Sequence, residues 1–424
     1  MTTDILVIGA GPAGMAAAVA AAASGREVTV LDDNPASGGQ IWRGGSRKAP
    51  SPIARNWFRR FAQLPITTVL GAQVISGDAS NRTIVAERLS SVEEIRFDSL
   101  ILATGARELF LPFPGWTLPG VMGLGGIQAL AKSGMPIAEK SVVLAGTGPL
   151  LLAVAAYFQK HGAKVTLIAE QADFGNIVRF GKSLWRHPSK IREAVALRSS
   201  LTGVPYRLGC WIEEARGRDR LESVRLRQRN RVWQLESDFA GIGYGLVPNS
   251  ELAALLGCEI TARCIAVNEF QQTSIDRVFA AGECAGIGGV DSALVQGRIA
   301  GYSAAGKSDQ ARALFRSRVH AARFAMHLNE AFRLRSELKG LPEVDTIVCR
   351  CEDIAYGRLK DFHSSRAAKL HTRCGMGPCG GRVCGSATEF LFGWSPDSVR
   401  PPILPARVAS LIEQRITPEE AVTK

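Results

Sequence analysis

Five of the nine cysteines gather near the C-terminus, at Cys349, Cys351, Cys374, Cys379 and Cys384, while Cys210, Cys258, Cys264 and Cys284 are scattered. Cys349 and Cys351 form a C-x-C pair, and the other three follow in two successive C-x-x-x-x-C steps. Such a cluster in a long chain whose first residues, Met1 to Asp4, carry no basic segment reads as a metal or redox centre in a reducing compartment, not as a disulfide framework. Four thiolates around a [2Fe-2S] core make an anionic centre, which needs backbone N–H donors and nearby positive charge. Gly375, Gly377, Gly380, Gly381 and Gly385 let amides come close, and Arg350, Lys369, Arg373 and Arg382 supply charge. The spacing alone leaves structural zinc on the same thiolates as a rival reading.

At the other end, DILVIGAGPAGMAAAVAAAASGREVTVLDD carries Gly9, Gly11 and Gly14 in the spacing G-x-G-x-x-G, with Pro12 and Ala13 inside the turn. Gly9 permits a tight turn, Gly11 lets the backbone approach a pyrophosphate, and Gly14 lets helix and strand pack closely. The helix N-terminus then faces the phosphate charge. Asp32, at the end of the second strand, is placed to accept from ribose hydroxyls, with Asp33 as a lesser substitute. A second unit, SVVLAGTGPLLLAVAAYFQKHGAKVTLIAE, repeats the order from Ser141 and ends at Glu170. Gly146 and Gly148 are kept, but Leu151 replaces the third glycine, which should push the helix outward or demand compensation. Two readings of this second site stand side by side: an NAD or other nucleotide site with Glu170 on the ribose, and a retained scaffold whose nucleotide chemistry is lost.

Disulfide reduction is a poor expectation, because Gly39 is followed by Gln40-Ile41-Trp42-Arg43 with no cysteine, and the second unit has no C-x-x-C. Cys284 follows Glu283 and reads best as a small buried residue. The six histidines show no triad or metal-helix spacing. No catalytic residue for a substrate is evident.

The elements that must position these groups alternate strand and helix over a 424-residue chain with 46% hydrophobic content, enough for two or three domains. No apolar run reaches the length of a membrane span, so a chain located in the cytoplasm or at the periphery of the inner membrane is expected. The net charge of +12 is spread widely, and its densest stretch, Arg179, Lys182, Arg186, Lys190 and Arg192, lacks a nucleic-acid-binding module. A solvated or partner-docking face is expected there, with no nucleic-acid partner. Beyond Gly301 the composition turns arginine-rich and helical, Leu341-Pro342 opens the cysteine region, and a helix is expected over Asp353 to Phe362.

Gly38-Gly39-Gln40, Ala103-Thr104-Gly105 and the stretch Arg277 to Glu283, with Gly282 before its last residue, resemble in that order the motifs of the glutathione-reductase-like flavoproteins. The resemblance implies that the first nucleotide is FAD and that Glu283, where the superfamily more often has Asp, approaches the flavin's ribityl chain. The segments C-R-C-E-D and T-R-C-G-M-G-P-C-G-G-R-V-C resemble the bacterioferritin-associated-ferredoxin-like (BFD-like) [2Fe-2S] domain fused to FAD subunits of opine oxidases, hydroxyproline dehydrogenases, hydrogen cyanide synthase and related glycerol-3-phosphate dehydrogenases. This resemblance implies Cys349, Cys351, Cys379 and Cys384 as ligands, with Cys374 spare but at an equivalent spacing to Cys379.

The implied fold is α/β: a Rossmann-like FAD domain with an inserted NAD-like domain, plus a small C-terminal BFD-like domain. Its expected divisions are 1–106 and 241–305 for the FAD domain, 107–240 for the insertion, 306–341 for a helical linker and 342–424 for the cysteine module. The implied activity is electron transfer within an amino- or imino-acid dehydrogenase of the D-hydroxyproline or opine type. An amino-acid-oxidase-like flavoprotein subunit oxidises the amine, and a small ferredoxin-like subunit is a further partner. The competing readings are a self-contained NAD(P)H-dependent flavin reductase, one of the subunits of hydrogen cyanide synthase, and a non-enzymatic redox sensor or zinc scaffold.

Overall fold

The computed structural model describes residues 1–49, 51–395 and 399–413. The described residues form two compact units, one from 1–49, 51–107, 248–325 and 399–413, the other from 108–247 and 326–395. Of the expected cysteine module, residues 396–398 and 414–424 lie outside the described residues.

The first unit is built on parallel strands whose side chains are apolar on both faces, as a sheet covered on both sides requires. β1 (Thr2–Ile8) lies at the centre between β2 (Val28–Asp32) and the long β6 (Val92–Leu102), with β3 (Ile66–Leu70) outside β2. The second half of β6 also pairs in parallel with Val278–Ala280, which joins the sheet late in the chain. An antiparallel hairpin, β4 (Gln73–Asp78) and β5 (Thr83–Glu87), hangs on the first half of β6. Helix α1 (Pro12–Ala22) starts with proline at its first position, where a missing N–H costs nothing, and all but Pro12 is buried. Its alanines leave room for the helix Gly289–Ala304 to lie almost on its backbone: a Cβ on Gly297 would stand 2.1 Å from the Ala13 carbonyl oxygen, and one on Gly301 2.2 Å from that of Ala17.

In the second unit a five-stranded parallel sheet runs in the order Tyr206–Leu208, Lys164–Glu170, Ser141–Gly146, Phe239–Gly243, Val121–Gly123. A three-stranded antiparallel meander, Cys210–Arg216, Ser223–Gln228 and Arg231–Glu236, follows it. Leu151, expected to push its helix outward, is fully buried among Leu124, Ile127, Val142, Leu144 and Val154. The helix compensates by starting at Leu150, one place later than α1 relative to its glycine turn, so the leucine side chain becomes core.

The cysteine region shares this unit. Leu338 and Leu341 enter the same apolar core as Trp116, Trp211 and Tyr244, and the Trp116 indole N–H donates to the Ile347 carbonyl at 2.6 Å. The helix expected over Asp353 to Phe362 is not formed. That stretch is a two-residue strand at Ile354–Ala355 and a 3₁₀ turn at Tyr356–Arg358, and helix appears instead at Ser365–Thr372. Gly357 accounts for the difference: its backbone packs so tightly on Val344 that a Cβ would come within 2.7 Å of that side chain, and Gly357 N–H donates to the Val344 carbonyl. Tertiary contact here overrides the local preference for helix.

Candidate functional site

The first glycine turn shows why its residue types are needed. Gly9 has φ +104°, and a Cβ there would lie 2.3 Å from the Ala103 carbonyl oxygen. At Gly14 a Cβ would lie 1.8 Å from the Gly9 carbonyl oxygen, so α1 rests directly on the turn. Gly39, also left-handed, brings its backbone so near Gly11 that a Cβ would be 2.9 Å from the Gly11 Cα. The Gly38 N–H donates to the Ala10 carbonyl and holds that loop beside the turn. Gln40 is exposed and accepts from the Arg43 guanidinium.

Asp32 is buried at the end of β2. One of its oxygens accepts from the Ala10 N–H at 2.5 Å, and the other from the Asn34 backbone and side-chain N–H groups at 2.8 and 2.7 Å. Asp33 is exposed, and its carboxylate accepts from the Asn34 side chain.

The Ala103-Thr104-Gly105 turn is fixed by a residue that motif reading passed over. Asn249 donates to the Thr104 carbonyl at 2.9 Å, accepts from the Thr104 hydroxyl through its backbone carbonyl at 2.6 Å, and accepts from Arg107 at 2.8 Å. Arg107 also pairs with Glu251 at 2.8 Å. Asn249 closes the segment GYGLVPN, Gly243 to Asn249, and its partner Thr104 lies 145 positions away. Gln296, likewise missed, accepts from the Gly282 N–H at 2.8 Å.

Glu283 fits a bound polar group. Its Oε1 accepts from the Gly289 N–H at 2.8 Å, while its Oε2 is buried with no hydrogen-bond partner among the described residues. Burial raises its carboxyl above the ordinary range. An orphaned buried carboxylate oxygen requires a partner, and a ligand hydroxyl would supply one. The glycine cradle, Asp32 and Glu283 lie in the first unit and suit FAD. Cys284, fully buried and hydrogen-bonded to the Leu102 carbonyl, is a packing residue.

In the second unit Gly146 is again obligatory, since a Cβ would be 1.9 Å from the Gly243 carbonyl oxygen. Glu170 is completely buried. Its Oε1 accepts from the Thr147 hydroxyl at 2.8 Å and the Ala172 N–H at 2.9 Å, and its Oε2 from the Gly148 N–H at 2.8 Å. Desolvation pushes its carboxyl up to about 7 against these hydrogen bonds.

The five clustered cysteines fall into two groups. The sulfurs of Cys349, Cys374 and Cys384 are buried and lie within 4.8 Å of one another, while Cys351 is exposed and hydrogen-bonds Cys379. Gly377 stands against the C-x-C pair, where a Cβ would come within 2.3 Å of the Cys351 Cβ. The Gly375 N–H donates to the Cys349 sulfur at 3.5 Å. Hydrogen bonds from the Cys374 and Cys384 thiols hold Cys349 far below the ordinary thiol range and push Cys384 far above it. Three buried thiols whose sulfurs lie within 4.8 Å of one another are a donor set that fits a metal centre.

Residues 3–308 match the pyridine nucleotide-disulphide oxidoreductase family. The chain is 31% identical to hydrogen cyanide synthase subunit HcnB of Pseudomonas aeruginosa, covering 89% of this chain and 90% of the relative. It is 30% identical to an opine oxidase subunit of Agrobacterium tumefaciens, covering 96% and 91%. Among solved structures, L-proline dehydrogenase from P. horikoshii superposes over 97% of this chain and 79% of that one, with TM-score 0.65 and 15% identity. Thioredoxin reductase of T. acidophilum superposes over 73% and 99%, with TM-score 0.57 and 21% identity. The chain is therefore an oxidoreductase with the two-dinucleotide-fold architecture, and it belongs to the pyridine nucleotide-disulphide oxidoreductase family, in the branch that includes HcnB and this opine oxidase subunit.

Proposed function

We propose that this chain is the FAD- and [2Fe-2S]-carrying electron-transfer subunit of an amino- or imino-acid dehydrogenase of the D-hydroxyproline or opine type. The observation that carries the reading is the convergence of Cys349, Cys374 and Cys384 sulfurs within 4.8 Å, with Cys351 and Cys379 beside them, in a chain that also has a complete dinucleotide cradle. The subunit names of the relatives support a multi-subunit enzyme. A flavin accepts electrons in pairs and yields them singly to an iron–sulfur centre, which suits a relay.

In this reading Gly9, Gly11 and Gly14 admit the FAD pyrophosphate, Asp32 meets the adenosine ribose, and Glu283 Oε2 meets a hydroxyl of the cofactor. The partner that oxidises the amine is an amino-acid-oxidase-like flavoprotein, and a small ferredoxin-like subunit completes the assembly, in the cytoplasm or at the inner membrane periphery. No helix among the described residues is long and apolar enough to cross a membrane. The cysteine region from residue 342 is proposed as a small domain of its own, supported by its separate core of Val348, Ile354, Leu359, Ala368 and Trp394.

Cys349, Cys351, Cys379 and Cys384 are proposed as the four ligands on the family resemblance, and the buried grouping of Cys374 with Cys349 and Cys384 supports the alternative in which Cys374 is itself a ligand. Single serine variants test the set through visible absorbance, iron content and bound flavin. Cys379→Ser should lose the iron absorbance and keep flavin, whereas Cys374→Ser should keep both. Iron retained without Cys379, or zinc in place of iron in the purified protein, would overturn the assignment. Co-expression with the amine-oxidising subunit should give a complex that reduces an artificial acceptor with an imino acid, and glycine with cyanide release would instead select the hydrogen cyanide synthase reading.

A further inference from the structure

The second glycine turn is covered by the chain's own backbone. Thr147, between Gly146 and Gly148, has its hydroxyl 3.3 Å from the Phe332 carbonyl oxygen. Gln171, which follows Glu170 and is 1% exposed, holds the same segment from both sides of its amide. Its Nε2 donates to the Thr147 hydroxyl at 3.0 Å and approaches the Arg333 carbonyl at 3.3 Å, and its Oε1 accepts from the Arg335 N–H at 3.1 Å.

The side chains of the segment are anchored as well. The Arg335 guanidinium donates to the Gln171 carbonyl at 3.2 Å, lies 4.7 Å over the Trp211 ring and pairs with Glu337 at 2.7 Å. The Phe332 ring meets Phe180 edge-on at 5.5 Å. Leu338, fully buried, and Leu341 then pin the following turn into the core of the unit.

In open parallel sheets a dinucleotide lies outside the carboxyl ends of the strands, with its pyrophosphate on the glycine turn and its ribose on the acidic residue ending the second strand. Here those are Gly146-Thr147-Gly148 and Glu170, and residues 332–335 run across that edge. Glu170 takes the Gly148 N–H much as Asp32 takes that of Ala10 in the first turn; what differs is that Glu170 is sealed from solvent and that residues 332–335 bond to Thr147 and Gln171 beside it. Two of the three fingerprint glycines therefore survive for internal reasons: Gly146 for its contact with Gly243, Gly148 for the φ of +94° at which its N–H meets Glu170.

We propose that the second dinucleotide fold is occupied by the chain's own segment Phe332–Arg335 and takes no nicotinamide dinucleotide. The fold is kept as the seat of the segment that leads into the cysteine cluster. This departs from what family membership implies for the second site, and it assigns the chain's incoming electrons to a donor other than NAD(P)H. It does not depend on which metal the cysteines hold, so a zinc result would defeat the relay reading and leave this proposal standing.

The test uses the full-length flavin-loaded protein without oxygen. NADH and NADPH, titrated to about 1 mM, should give no saturable heat of binding and no bleaching of the flavin. By hydrogen exchange, the amides of Thr147, Gly148, Leu150 and Leu151 and those of residues 332–336 should be protected together, unchanged by NADH. The variant Gln171→Ala should quicken exchange in both segments in parallel, by about tenfold or more. Micromolar binding of either nucleotide, flavin bleaching, or rapid exchange of 332–336 over a still protected 147–151 would each overturn the proposal. Should Gln171→Ala fail to fold, the titration and exchange of the unaltered protein decide the matter alone.

Discussion

Single residues carry unequal weight at the two dinucleotide turns. Gly9→Ala places a Cβ 2.3 Å from a backbone oxygen at a φ of +104°, so neither the turn nor its neighbour can yield cheaply. The expected outcome is a loss of about 2 kcal/mol or more in stability together with a fall in the ratio of flavin to protein absorbance. Glu170 sets a pH dependence in the second unit. Its folded value of about 7 lies above the ordinary 4.5, so the folded state keeps a proton that the unfolded state has lost. The stability this contributes is complete below about pH 4.5 and is lost as the pH rises through about 7, a change of up to ~3 kcal/mol. Thermal unfolding followed from pH 5 to pH 8 should show that decline, and Glu170→Gln should flatten it. An unchanged slope in the variant would assign the decline to other groups.

At the scale of elements, the closeness of two helices is the feature most exposed to mutation. Helix α1 and the helix Gly289–Ala304 approach through glycine against backbone, and Gly297 faces the Ala13 carbonyl next to the first glycine turn. Gly297→Ala must separate the helices, because backbone cannot give way as a flexible side chain can. A lower melting temperature and weaker flavin retention are expected, whereas Gly306→Ala, with nothing within 4 Å, should spare flavin retention. In the cysteine region the corresponding close approach is Gly377 on Cys351. Gly377→Ala should cost metal content without loss of flavin, read by iron analysis against flavin absorbance.

Across the whole molecule, the second unit joins parts that are far apart in sequence. The Trp116 indole N–H reaches the Ile347 carbonyl over 231 positions, and Leu338 and Leu341 share a core with the meander strands. Trp116→Phe keeps an aromatic side chain but not the indole N–H and leaves a carbonyl without its donor, for an expected loss of about 1–3 kcal/mol in the unfolding of this unit. A transition unmoved by the substitution would mean that the contact contributes nothing to the seat of the cysteine region. The helices Phe174–Ser183 and Pro188–Ser200 carry the basic stretch apart from Arg186, which ends the 3₁₀ turn between them, and the first helix buries none of its residues, which suits a solvated face.

The sequence by itself determined the two strand–turn–helix–strand units, because glycine spacing and apolar runs are local properties that only one backbone arrangement satisfies. It also marked the cysteine cluster, whose ligand chemistry depends on residue type more than on surroundings. It did not determine what covers the second turn. Gly146 and Gly148 read alike whether they face a pyrophosphate or the chain itself, and Phe332 to Arg335 carry no motif that points back across more than 160 positions to Gln171. The same holds for the bonds of Asn249 to the Thr104 carbonyl and of Gln296 to the Gly282 N–H, which fall on backbone groups and so leave no trace in residue type. Tertiary structure decided these points, since a hydrogen bond to a distant carbonyl exists only once packing has brought the two segments together.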